Sequence, residues 1–88
     1  MDLKEAVRAA KLSVAELFAD EGVSDLLLEE VEFEPEQKVW RVTIGFQRPV
    51  VRDNPMSIAF PPRRSYKVIT ISDDQSRVLS LREREGMH

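Results

Sequence analysis

Few side chains in this 88-residue chain could do chemistry, and most stand where chemistry is hard to arrange. His88 is the single histidine and the last residue, a poor place for the positioned base that a Ser–His–Asp or Cys–His arrangement needs. Cysteine is absent, which removes disulfides, thiolate metal sites and a cysteine nucleophile. Asp73-Asp74 has neither the ligand spacing nor the turn glycine of a calcium loop, so it reads as a solvated turn. Gly22, Gly45 and Gly86 are isolated, and no phosphate-cradling loop can be built from them. No cofactor or metal is expected.

Two charged clusters remain. Glu29, Glu30, Glu32, Glu34 and Glu36 form an acidic ridge. Paired carboxylates can serve glycosidase-type acid–base work, but only at a substrate cleft. The alternatives are a solvated strand face, or charge that keeps an edge strand from aggregating. The second cluster is basic. Arg48, Arg52, Arg63 and Arg64 stand against the single acid Asp53, among Val50, Val51, Met56, Ile58 and Phe60. Arginine, methionine and aromatic residues are enriched at protein interfaces. Arg48, Arg52, Met56, Phe60, Arg63 and Arg64 are therefore the candidate partner-binding residues. Alternatively, Ile58 and Phe60 seal the sheet end and the arginines are solvated. Arginine beside an aromatic ring also suits base stacking, yet a net charge of −3 is unlike a dedicated nucleic-acid binder.

The elements that must position these groups follow from periodicity. Asp2 and Glu5 have capping-box spacing. Leu3, Ala6, Val7, Ala10, Val14, Leu17 and Phe18 then share one helical stripe, which predicts an amphipathic helix over 3–20 with Gly22 as its left-handed stop. Strands are predicted at 26–34, 39–46, 65–72 and 77–84. In the first, Leu27, Val31 and Phe33 share one parity, and Leu28, Glu30, Glu32 and Glu34 the other. In the second, Trp40, Val42, Ile44 and Phe46 point toward the helix, and Arg41, Thr43 and Gly45 away from it. Four prolines, Pro49, Pro55, Pro61 and Pro62, mark a long loop between strands 2 and 3. The third strand is apolar on both parities, as a central strand would be. The expected fold is a single α+β domain over 1–88. One N-terminal helix packs on a four-stranded antiparallel meander, in the order α-β-β-β-β.

The second hairpin resembles the PepSY-like and cystatin-like small α+β domains. The residues that carry the likeness are Tyr66-Lys67-Val68-Ile69, the acidic turn Asp73-Asp74, and Val78-Leu79-Ser80-Leu81. The turn has Gln75-Ser76 where those domains have glycine. The resemblance implies a binding or inhibitory module and not a catalyst. Gln47-Arg48-Pro49-Val50-Val51 lacks the glycine of the Gln-x-Val-x-Gly loop, so no inhibitory residues are carried over.

One helix covers only part of one sheet face. Leu28, Val39 and some residues of the third and fourth strands are expected on the other, since Ile69/Ile71 and Tyr66/Val68 cannot both lie under the helix, and an apolar patch there predicts association, either as a homodimer or with another protein, through the face or an edge. No apolar stretch approaches the roughly 20 residues of a membrane span, and residues 1–20 carry seven charges, unlike an export signal, so a cytoplasmic protein is expected. The function expected is that of a non-catalytic interaction module, inhibitor-, immunity- or adaptor-like. The alternatives are a small enzyme using the acidic strand and a nucleic-acid accessory protein.

Overall fold

Asp2 and Gly22 bracket the helical segment, as their residue types require. In the computed structural model, which describes residues 1–47 and 64–84, Asp2 Oδ1 accepts the Glu5 N–H at 2.8 Å and starts α1 (Leu3–Leu17). That bond satisfies one of the four N–H groups a helix start leaves free, and it holds the Asp2 carboxyl below its usual pKa. The helix ends three residues before the predicted 20. Phe18 leaves helical geometry at φ −111°, ψ 22°, and its ring packs 5.5 Å from that of Phe46. The chain tightens into a 3-10 turn at Ala19–Glu21 and stops at Gly22, whose φ of 64° is the left-handed conformation glycine tolerates best.

Four strands follow: β1 (Ser24–Glu34), β2 (Val39–Gln47), β3 (Arg64–Ser72) and β4 (Val78–Glu83). They form one antiparallel sheet in the order β1-β2-β3-β4, with α1 across one face. The predicted meander and its four strands are therefore present, with ends shifted by one or two residues. Ala6, Ala10 and Val14, spaced by four, are fully buried against Val42, Ile44, Phe46, Ile69 and Ile71. Two alanines at the contact let the helix approach the sheet closely. Full burial of each large aliphatic or aromatic side chain contributes roughly 1.5–3 kcal/mol.

β1 departs from the expected alternation. Leu28 pairs with Ile44 and Val31 with Val42, so both face the helix, while Leu27 pairs with Gly45 on the open face. A register shift between Leu28 and Glu30 inserts Glu29 as an extra residue. This bulge reverses the parity of Leu27 and Leu28, whose predicted roles are exchanged, and a second register shift between Ser24 and Leu27 restores it at Ser24. Glu30, Glu32 and Glu34 stay on the open face, paired with Thr43, Arg41 and Val39.

The two hairpins are tied at one end by Asp73. The Trp40 indole N–H donates to Asp73 Oδ1 at 2.9 Å, the Met1 ammonium lies 3.5 Å away, and the Asp73 N–H donates to the Lys38 carbonyl at 2.9 Å. The indole hydrogen bond, with the ammonium's help, holds the Asp73 carboxyl below the ordinary aspartate range.

Candidate functional site

The sheet register lines up rows of side chains across all four strands. Beneath the helix the rows are Leu28–Ile44–Lys67–Glu83, Val31–Val42–Ile69–Leu81 and Phe33–Trp40–Ile71–Val78. On the open face they are Glu30–Thr43–Val68–Arg82 and Glu32–Arg41–Thr70–Ser80. Arg84 extends the next row, where its N–H donates to the Tyr66 carbonyl at 3.0 Å. The open face thus runs from acid on β1 to base on β4.

The expected apolar patch on the open face is small. Val39 is buried, Tyr66 and Val68 are half-buried, Leu28 lies on the other face, and Thr43, Thr70 and Ser80 fill the centre. A hollow of about 490 Å³ there is lined by Arg41, Val68, Thr70, Ser80, Arg82, Glu83 and Arg84. No β1 carboxylate lines it. Glu32 and Glu34 instead lie 4.0 and 3.7 Å from Arg41, whose Nη2 also donates to Gln37.

Of the six predicted partner-binding residues, Arg48, Arg52, Met56, Phe60 and Arg63 lie outside the described residues. Arg64 is the first residue of β3 and reaches across β2 to β1. Its Nη2 donates to the Asp25 carbonyl at 3.1 Å and lies 3.9 Å from Glu29 Oε2. Gly45 makes this reach feasible. A Cβ there would stand 2.8 Å from Glu29 Oε2, 3.0 Å from Arg64 Nη2 and 3.1 Å from the Tyr66 ring. The arginine therefore pins the irregular start of β1, where Asp25 adopts φ 54°.

The apolar surface that the strands expose lies at the sheet margins. Among the described residues, their exposed large hydrophobics are Leu27, Leu28 and Phe33 on β1 and Val78 and Leu79 on β4. Both are edge strands, and no strand among the described residues pairs with their outer sides. Beside β1 the helix adds a groove of about 400 Å³, with Leu3, Val7 and Leu28 as its floor and Lys4, Arg8 and Lys11 around it. These three cations follow one another at i, i+4 and i+7 along a single flank of α1.

Sequence reasoning placed Glu30, Glu32 and Glu34 on one face, as the register has them, but missed the bulge at Glu29 and passed over Arg82, Arg84 and the helix cations. A usable signal existed. Arg82 and Arg84 share the parity of Ser80 and oppose Leu81, so β4 is basic on one face and apolar on the other. Among the described residues no helix is long and apolar enough to cross a membrane, and no cluster of three potential metal ligands occurs. No family model, curated protein or solved structure matches the chain.

Proposed function

We propose that this protein is a non-catalytic interaction module that binds by strand addition at the edges of its sheet. The observation that supports this is the placement of the strands' exposed apolar side chains, which fall on β1 and β4. An edge strand offers a row of free N–H and C=O groups. An incoming strand gains affinity from those hydrogen bonds and specificity from the side chains on either face. β1, at 11 residues, is the longer template. Charges and bulges on the two edges discourage indiscriminate pairing, so a strand must match them in charge to bind.

The test is affinity capture from native lysate with three variants. Phe33→Glu on β1 and Leu79→Glu on β4 should each lose specific partners. Leu12→Glu, on the outer side of α1 where Leu12 is 57% exposed, should keep them. Retention of every partner by both edge variants would remove the edges from the function.

A further inference from the structure

The two edges are not merely exposed; they match each other. We infer that the strand added to β1 is β4 of a second copy of this chain, in a head-to-tail contact that continues the sheet from molecule to molecule. The inference rests on the edge-binding reading above and names its partner.

Direction fits first. Three antiparallel steps separate β1 from β4, so β4 of a copy placed beside β1 in the same orientation runs antiparallel to it. Side chains fit next. If each row simply continues into the next molecule, Arg82 of the copy falls beside Glu30 and Ser80 beside Glu32 on the open face. Under the helix, Leu81 falls beside Val31 and Val78 beside Phe33. Glu83, whose carboxylate lies 3.9 Å from Lys67 of its own chain and stays 67% exposed, falls beside Leu28, at the groove carrying Lys4, Arg8 and Lys11. One register thus satisfies charge on the open face and both apolar contact and charge on the helix face.

The competing pairings do worse. β1 against β1 sets glutamates against glutamates, and β4 against β4 offers Arg82 no carboxylate on the open face. Like charges directly opposite each other in a ladder are destabilising. Among the described residues, space is also sufficient. Four strands at about 4.8 Å give each copy roughly 19 Å of sheet, and a helix needs about 10–12 Å. Because the contact joins two different edges, it does not close after two copies. Strand twist carries it into a ring or a helical filament.

Sedimentation velocity on the intact chain, from micromolar to several hundred micromolar, tests this. The expected result is mass growing with concentration beyond twice the 10.1 kDa of one copy. Glu30→Arg alone and Arg82→Glu alone should each raise the concentration needed for assembly roughly tenfold, the order expected when a cross-strand attraction becomes a repulsion. An equimolar mixture of the two variants, or the double variant E30R/R82E, should restore assembly, which also shows that the single variants fold. A wild-type monomer at every concentration, a dimer that never grows, or single variants that assemble like wild type would overturn the inference. If the chain stays monomeric while edge variants still lose partners from lysate, the edges bind a different protein and only the second copy is removed.

Discussion

Ile69 and Val68 are neighbours on β3 that face opposite ways, and truncating each in turn tests where the core lies. Ile69 is fully buried beneath α1, between Val42 and Leu81 in its row. Ile69→Ala removes three carbons, or about 2.4 kcal/mol of transfer free energy at about 0.8 kcal/mol per methylene. The cavity left behind raises the total to about 3–4 kcal/mol, within the usual range for such truncations. Val68 is half-buried on the open face. Val68→Ala removes two carbons that water already reaches in part, so its cost should stay below about 1.5 kcal/mol. In a domain of this size each kcal/mol moves the melting temperature by about 4–8 °C, so Ile69→Ala should lower it by about 12–32 °C. The measurement is urea and thermal unfolding followed by Trp40 fluorescence and circular dichroism at low micromolar protein, where association contributes least. Equal losses for the two variants, or a larger loss for Val68→Ala, would show that the open face is packed as tightly as the helix face and would refute the one-sided core.

Ala10→Leu drives three added carbons into a helix–sheet contact with no exposed surface, and should cost about 1–3 kcal/mol in the same unfolding assay, while Ala15→Leu on the exposed side of α1 should change stability little. Asp73 has a folded pKa below its unfolded value of about 3.9, so its contribution is fully present above that pH and is lost as pH falls through the lower folded pKa. Unfolding free energy measured from pH 6 down to pH 2 should therefore fall on the acid side, and Asp73→Asn should remove part of that slope; an unchanged slope would separate Asp73 from acid sensitivity.

Much of the fold was legible because its signals are local. Asp2, Gly22 and the Trp40–Phe46 alternation each act through their own backbone or their nearest neighbours, while the loop predicted from the four prolines lies outside the described residues. The bulge at Glu29 was not legible in this way. Leu26-Leu27-Leu28 offers apolar side chains to both faces, so the sequence admits two phases and only pairing with β2 selects one. The helix end was likewise set by a distant contact, the Phe18 ring against Phe46. Arg64 was identified by its charge, yet its reach to Asp25 and Glu29 depends on the missing side chain of Gly45, two strands' worth of structure away from any local pattern. The edge rows needed the sheet order itself, since no segment of sequence states which strands are outermost.

The extra residue in β1 also governs where this chain tolerates a change of length. Leu28 and Glu30 already pair with the adjacent residues Ile44 and Thr43, so deleting Glu29 leaves an uninterrupted ladder with every later side chain on its present face. The same deletion removes the carboxylate that pairs with Arg64, while the Arg64 guanidinium and the Tyr66 ring still stand 3.0 and 3.1 Å from where a Cβ at position 45 would lie. A deletion inside β2 has no such slack. It would turn half of the Trp40–Phe46 stripe toward solvent. Length is therefore tolerated unequally across the strand pair: the first strand has one residue to spare, and the second has none.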